Sequence, residues 1–200
     1  MAAYDKKQLV ELLYQMLETE LGGEQIYMTA ISCAVNADLR KEWQEYLEET
    51  RHHQEVVLGL FKHFGLDPAA STPGREVVAH NGRSLVQAME LAKAKADAAG
   101  AQLVACECVL LAETKDHSNW ELLGRVANKA TGADGKALTA AHEEVEEDED
   151  HHLYHNAGWC RELWIESLGM PAVLPPPEEK RQVETAIGAS RAEQARSEML

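Results

Sequence analysis

Two short motifs in this sequence combine a carboxylate and an imidazole at a spacing that suits metal binding. Both read Glu-x-x-His: one pairs Glu49 with His52, and the other pairs Glu149 with His152. Residues three apart on an α-helix lie on one face about one turn apart, so both side chains can reach one ion. Bundles that bind two metal ions take this motif from two helices and a single glutamate from each of two others. The motifs therefore predict a dinuclear metal site if two further helices supply an inward glutamate.

The composition indicates a folded protein that does not bind polyanions. The chain has 200 residues, of which 45% are hydrophobic, and its formal net charge is -15. Such a charge argues against nucleic acid or an anionic membrane surface as a partner. None of the four cysteines forms a Cys-x-x-Cys motif, and no apolar run suits a signal peptide or a membrane span. We therefore expect a cytoplasmic protein with reduced thiols.

Apolar residues recur at helical spacing in four long segments that are separated by turn signals. The predicted helices cover approximately residues 6–35, 38–65, 84–120 and 137–168, the third with a break at 96–100. A loop over residues 67–82 is expected to connect two helical hairpins. The sequence thus predicts an all-α protein: an antiparallel four-helix bundle over residues 1–170 and a Pro-rich C-terminal tail over residues 171–200. The tail is expected to contain a short polar helix over residues 183–199.

Two glutamates interrupt the apolar stripes of the helices that lack the motif: Glu24 on the first and Glu113 on the third. Four carboxylates would balance the charge of two divalent ions. Without metal, burying each ionised carboxylate would cost on the order of several kcal/mol. Carboxylate and imidazole ligands suit iron or manganese, and the lack of thiolates argues against structural zinc. The predicted metal ligands are Glu24, Glu49, His52, Glu113, Glu149 and His152.

Several neighbouring residues remain as alternatives. Glu20 lies one turn before Glu24 and competes with it, and Glu107 competes with Glu113 for the contribution of the third helix. His117 is expected to support a ligand by hydrogen bonding rather than to bind metal itself.

Histidines and tyrosines around the motifs are also ambiguous. The histidines occur as the adjacent pairs 52–53 and 151–152, so one member of each pair is expected at the surface. Tyr27 and Tyr46 are expected close to the site, where they pack or hydrogen-bond a ligand.

The residues around Glu24, Glu49, His52, Glu149 and His152 resemble the ferritin-like superfamily, in particular its rubrerythrin and manganese-catalase branch. The stretch from Cys106 to His117 is more similar to a bacterial subgroup of this superfamily than to ferritin or bacterioferritin. The resemblance covers approximately residues 5–168. It implies a ferritin-like four-helix bundle that holds two iron or two manganese ions, iron being favoured, with the matched glutamates and histidines as ligands.

The same resemblance implies that the centre reacts with peroxide or dioxygen. The rubredoxin-type iron domain of full rubrerythrins is absent, so a peroxidase or oxidase reaction would need an external electron donor, whereas a catalase-like cycle would not. Two alternatives belong to other classes. A ferroxidase or metal-storage protein predicts a large oligomer instead of a monomer or homodimer, and a non-catalytic helical bundle predicts that no metal is bound.

Overall fold

The computed structural model describes residues 4–200, and within this range it contains α-helices and no β-strand. The prediction of an all-α protein is confirmed. None of the described helices is both long enough and apolar enough to cross a lipid bilayer. The helices are α1 (Lys6–Cys33), α2 (Ala37–Phe64), α3 (Pro73–Lys95), α4 (Ala98–Ala127), α5 (Gly132–Ser167), α6 (Pro177–Lys180) and α7 (Ala186–Gln194), followed by a 3₁₀ turn over Ala195–Glu198.

Helices α1, α2, α4 and α5 form a closed ring of contacts, in which α1 packs on α2 and α4, and α5 packs on the same two helices. Short connections over residues 34–36 and 128–131 reverse the chain after α1 and α4. Capping fixes these ends locally. The Asn36 side chain accepts hydrogen bonds from the backbone N–H groups of Asp38 and Leu39, and α2 ends at Gly65 with a φ of 66°.

The long connection between the two hairpins is largely helical, where the sequence had predicted a loop over residues 67–82. Helix α3 begins at Pro73 after the N-cap Thr72, whose side chain accepts from the backbone of Arg75. The expected turn residue Gly82 lies inside α3, where a Cβ atom would stand 3.7 Å from Cα of Gly22 on α1. Small residues here thus permit close packing of α3 on α1 rather than a turn. The predicted break at residues 96–100 is present between α3 and α4.

The apolar core consists of two clusters that lie at opposite ends of the ring. The first cluster includes Leu13 of α1 and Val145 of α5, and the second includes Tyr27 of α1 and Trp159 of α5. Along α1 and α5 the chain runs from the first cluster to the second, and along α2 and α4 it runs from the second to the first. Adjacent helices of the ring are therefore antiparallel. Between the two clusters, all four helices pass through a layer of buried polar side chains.

The C-terminal tail is held against α5 by buried ion pairs. Glu162 of α5 is fully buried and accepts hydrogen bonds from Nε of Arg196 at 2.7 and 2.9 Å and from the backbone N–H of Val173 at 2.8 Å. Arg161 donates two hydrogen bonds of 2.8 Å to Glu178, which is 1% exposed. The predicted helix over residues 183–199 is present in a shorter form, as α7 and the 3₁₀ turn.

Candidate metal centre

Six acidic and histidine side chains make up the polar layer between the two apolar clusters, and we refer to them as the buried cluster. Each is at most 6% exposed to solvent. They come from all four helices of the ring, because each lies in phase with the buried stripe of its own helix. The members are Glu20 on α1, His53 on α2, Glu113 and Asp116 on α4, and Glu149 and His152 on α5.

The two histidines of the buried cluster direct the same ring nitrogen towards its acids. Nδ1 of His53 lies 3.0 Å from Oε1 of Glu149 and 3.9 Å from Oε2 of Glu20. Nδ1 of His152 lies 3.5 Å from Oε2 of Glu113. In both rings Nδ1 is therefore the nitrogen that is available to an ion at the centre.

The outward nitrogen of each histidine contacts an acid outside the buried cluster. Nε2 of His53 lies 3.3 Å from Oδ2 of Asp148, and Nε2 of His152 lies 2.9 Å from Oε2 of Glu49. Histidines that bind metal through one nitrogen commonly donate the other N–H to a carboxylate, which fixes the ring orientation and the tautomer. Asp148 and Glu49 occupy this orienting position.

Two overlapping groups of ligand atoms share Glu149. The atoms of His53, Glu149 and His152 lie within 4.8 Å of one another, and so do those of Glu20, Asp116 and Glu149. A carboxylate has two oxygens and can contact two ions at once. Glu149 is therefore the residue best placed to bridge a pair of ions.

Five buried atoms of the cluster have no hydrogen-bond partner. His53 Nδ1 is one of them, because its short approach to Glu149 lacks hydrogen-bond geometry. Leaving a buried polar group without a partner costs about 1–3 kcal/mol, and native proteins contain few such groups. Their concentration in one layer is typical of a site that binds cations. The five atoms are Glu20 Oε2, His53 Nδ1, Glu113 Oε2, Asp116 Oδ1 and Glu149 Oε2.

The electrostatics of the buried cluster favour proton uptake when no cation is bound. Burial raises the pKa of Glu20 well above its usual value, and the charges of Asp116 and Glu149 raise it further. Burial likewise raises the pKa of Asp116, and the charges of Glu149 and Glu113 add to this effect. Burial of His53 lowers its pKa, but hydrogen bonding with Asp148 and the proximity of Glu149 outweigh this and raise it to about 9. Protons and metal ions therefore compete for the same atoms.

Aromatic side chains enclose the buried cluster and orient one of its acids. Nε1 of Trp120 donates a hydrogen bond of 2.9 Å to Oε1 of Glu20. The rings of Tyr46 and Tyr27 lie 4.2 and 6.1 Å from the ring of His152, measured between centroids. Both tyrosines thus lie beside the centre, as the sequence predicts, and the Tyr46 hydroxyl donates to Glu42 rather than to a member of the cluster.

Three of the six predicted ligands lie in the buried cluster: Glu113, Glu149 and His152. Glu24 lies outside the buried cluster: its side chain is 25% exposed and accepts a hydrogen bond of 3.0 Å from Nε of Arg51. Helix α1 contributes Glu20 to the buried cluster instead. Glu20 is the alternative one turn before Glu24, and it belongs to the buried stripe of that helix.

On α2, the buried histidine is one residue later in the chain than the predicted one. His52 is half exposed and lies 3.0 Å from Glu144, whereas His53 is the histidine that points inward. Glu49 lies at the rim with its side chain 39% exposed and reaches only the outward nitrogen of His152. The reason is the phase of the helix, since the buried stripe of α2 includes Thr50 and His53.

On α4 the structure selects Glu113 over Glu107 and adds an acid that was not predicted. Glu107 is exposed and accepts a hydrogen bond of 3.0 Å from Nε1 of Trp164. His117 lies 2.8 Å from Oδ1 of Asp150, outside the buried cluster. Asp116 was missed, although it lies between Glu113 and Trp120 at the spacing of three and four residues that marks the inward stripe.

A small cavity leads from the surface between α4 and α5 to Glu149. Its volume is ≈ 40 Å³, and it is lined by the exposed Glu121 and Glu146 as well as by the buried Glu149. A cavity of this size holds a molecule of about the size of water, for which about 10–15 Å³ suffices. It therefore places a small space beside Glu149, one member of the buried cluster.

Comparisons of the chain with protein-family models, with curated proteins and with solved structures found no match. The resemblance of the sequence to the ferritin-like superfamily therefore stays a prediction. The geometry of the buried cluster is the basis for assigning a function.

Proposed function

We propose that the chain is a dinuclear metal protein of the ferritin-like type that reacts with peroxide or dioxygen. The observation that carries this proposal is the convergence of five unpartnered buried atoms from four helices on one layer of the core. The antiparallel ring of α1, α2, α4 and α5 and the long connection between its hairpins support the ferritin-like assignment.

The charge of the buried cluster suits two divalent ions. Glu20, Glu113, Asp116 and Glu149 supply four negative charges, which equal the charge of two such ions. The remaining donors are two imidazoles, so the set consists of oxygen and nitrogen atoms without a thiolate. This set suits iron and manganese, and we favour iron.

The buried cluster also suggests how the ions would be held. Glu149, which belongs to both groups of ligand atoms, would be shared between the ions, and His53 and His152 would supply the imidazole ligands. Glu20, Asp116 and Glu113 would supply the other carboxylates. Asp148 and Glu49 would keep the imidazoles in the orientation that binding requires.

Two bound ions of this kind would supply electrons to reduce peroxide or dioxygen. The residues of the chain restrict what reaches them, since the cavity of ≈ 40 Å³ at Glu149 admits only small molecules. The two apolar clusters on either side keep bulk water away from the layer. A peroxidase or oxidase cycle would draw on an external electron donor, while a catalase-like cycle would not.

The adjacent histidines of α2 provide a matched test of the proposal. The full chain, purified without chelator, is measured by elemental analysis and visible absorption, beside the variants His53→Gln and His52→Gln. We expect two iron or manganese ions per chain in the wild type and in His52→Gln, and a loss of at least one ion in His53→Gln. No stoichiometric iron or manganese in the wild type, or equal metal content in both variants, would refute the proposal.

Activity assays then separate the reaction types. Oxygen evolution from peroxide without reductant would assign a catalase-like cycle, and peroxide consumption that requires a reductant would assign a peroxidase. Metal uptake and release by a large oligomer without turnover of peroxide would assign the storage alternative instead. Gel filtration of the metal-loaded chain distinguishes such an oligomer from a monomer or homodimer.

A further inference from the structure

A second group of acidic and histidine side chains lies one helical turn beyond the buried cluster, where the tail meets the bundle. It consists of Glu42 on α2, His155 on α5 and Glu179 on α6, and their ligand atoms lie within 4.8 Å of one another. His155 follows His152 by three residues on the same face of α5. Glu42 is 6% exposed and His155 is 9% exposed, whereas the side chain of Glu179 is 36% exposed, so the group lies at the edge of the tail.

The spacing of this group suits a shared ion better than hydrogen bonds. Nδ1 of His155 lies 3.6 Å from Oε1 of Glu42 and 3.5 Å from Oε2 of Glu179. Both distances exceed the range of about 2.7–3.2 Å that is usual for such hydrogen bonds. They agree with the separation of about 3.4 Å between two ligands of a tetrahedral ion at about 2.1 Å from each.

Oε2 of Glu179, which faces Nδ1 of His155, is buried and has no hydrogen-bond partner. Nε2 of His155 is also without a partner, while Nδ1 lies 3.3 Å from the Tyr46 hydroxyl. Within residues 4–200, no lysine or arginine forms an ion pair with Glu42 or Glu179. The nearest cation along the chain, Lys41, is exposed and pairs with Glu45. The one ion-pair partner of both carboxylates in the described part of the chain is His155, and a single imidazolium would balance half of their combined charge.

The ligand atoms are held in place by their surroundings. The Tyr46 hydroxyl donates a hydrogen bond of 2.7 Å to Oε1 of Glu42, and Nε1 of Trp159 donates to Oε2 of the same residue. Glu179 follows Glu178, which is fixed to α5 by its paired hydrogen bonds with Arg161. The tail therefore presents Glu179 to the bundle in a defined position.

We propose that Glu42, His155 and Glu179 bind one further divalent transition-metal ion, which is separate from the buried cluster and fastens the C-terminal tail to the bundle. The donor set of two carboxylates and one imidazole suits zinc, iron, cobalt or manganese. The proposal does not depend on the ions of the buried cluster, because the two sites share no residue.

The experiment uses Co²⁺ as the only added metal and counts bound ions by equilibrium dialysis of the full chain. To isolate the second site, the buried cluster is disabled with the double variant His53→Gln, Glu149→Gln. In this background we expect one Co²⁺ per chain. Adding Glu179→Gln should weaken its binding at least about 10-fold, because even residues that only support metal ligands have effects of this size. Adding Glu193→Gln, which changes an exposed acid of the same tail, should leave binding unchanged.

A third substitution removes a ligand from the bundle instead of the tail. His155→Gln should weaken Co²⁺ binding as Glu179→Gln does, and circular dichroism checks that the helices remain. Bound Co²⁺ should also slow proteolysis within residues 171–200 at least about 10-fold in the double variant, but not after Glu179→Gln. Equal binding in the Glu179→Gln and Glu193→Gln variants, or no Co²⁺ bound in the double variant, would overturn the proposal.

Discussion

The substitution Glu20→Gln should stabilise the metal-free protein and reduce the further stabilisation that metal binding provides. Oε1 of Glu20 accepts a hydrogen bond from Trp120, while Oε2 is buried without a partner beside Asp116 and Glu149. Glutamine has the same shape and keeps the carbonyl oxygen for Trp120. Its NH₂ group replaces the unpartnered oxygen and can donate to the neighbouring carboxylates. The substitution thus removes the unsatisfied acceptor and replaces an acid whose pKa is raised by burial with a neutral group.

The expected gain without metal is about 1–3 kcal/mol, the usual cost of an unsatisfied buried group. For a chain of this size, each kcal/mol changes Tm by roughly 2–4 °C, so Tm should rise by roughly 2–12 °C. With metal at 100 times Kd, the wild type should gain about 2.7 kcal/mol per site. Loss of the Glu20 carboxylate should weaken binding at least about 10-fold, which removes about 1.4 kcal/mol of this gain.

The assay is thermal unfolding followed by circular dichroism, with and without added Fe²⁺ under anaerobic conditions or Mn²⁺. Glu24→Gln is the matched control, because Glu24 lies one turn along α1 and pairs with Arg51 at the surface. The free energy of unfolding of Glu24→Gln should stay within about 0.5 kcal/mol of that of the wild type in both conditions, as is usual for surface ion pairs. If Glu20→Gln lowers the metal-free Tm and shows the full metal-induced rise, the assignment of Glu20 to the centre is wrong.

Further predictions concern the rim of the centre and the tail. Glu49→Gln should retain two metal ions but weaken their binding by about 10–100-fold, because this residue orients an imidazole instead of binding metal; metal titration distinguishes this from loss of a site. Gly158→Ala should release the tail to proteolysis, since the new Cβ would stand 2.4 Å from Oε2 of Glu178; an unchanged cleavage rate would contradict this. Burial raises the pKa of Glu162, but hydrogen bonds from Arg196 and its other partners outweigh this and lower it. The Glu162 carboxylate therefore stabilises the tail above pH 4.5, its ordinary pKa, and this stabilisation is lost as the pH falls below that value. Proteolysis of the tail should become faster only in that acidic range. An equal acid response in Glu162→Gln would contradict this.

The sequence predicts the helical content and the break before α4. It also predicts, for each helix of the ring, the approximate position along the helix at which the buried cluster lies. These features depend on local signals, namely apolar spacing, caps and charged residues within an apolar stripe. Helix α3 was partly missed, because Gly74, Asn81 and Gly82 are typical of turns when considered alone. Their role becomes clear only from tertiary packing, where Gly82 approaches Gly22 and Gly74 leaves room for Glu11 and Gln15 of α1.

The outward position of His52 illustrates why motif spacing alone does not identify which residues face the core. Adjacent residues of a helix differ by about 100° in direction, so His52 and His53 cannot both face the centre. The Glu-x-x-His motif favours His52, while the apolar stripe that passes through Trp43, Tyr46 and Val57 favours His53. The stripe is the stronger indicator, because many neighbouring side chains determine the buried face, whereas a motif of two residues also occurs on exposed faces.

The composition of the centre was nevertheless predictable where its arrangement was not. Four carboxylates and two imidazoles were expected, and the buried cluster contains four and two, although three of the six residues differ. On α2, the residue three before His53 is Thr50, whose Cγ2 lies 3.3 Å from the position of a Cβ on Gly23. Thr50 is therefore packed closely on α1 and is not an acid, and α4 supplies a second carboxylate to the buried cluster through Asp116. Under the proposed function, the charge of two divalent ions would restrict the number of buried acids, whereas the phase of each helix decides which of its residues face the cluster.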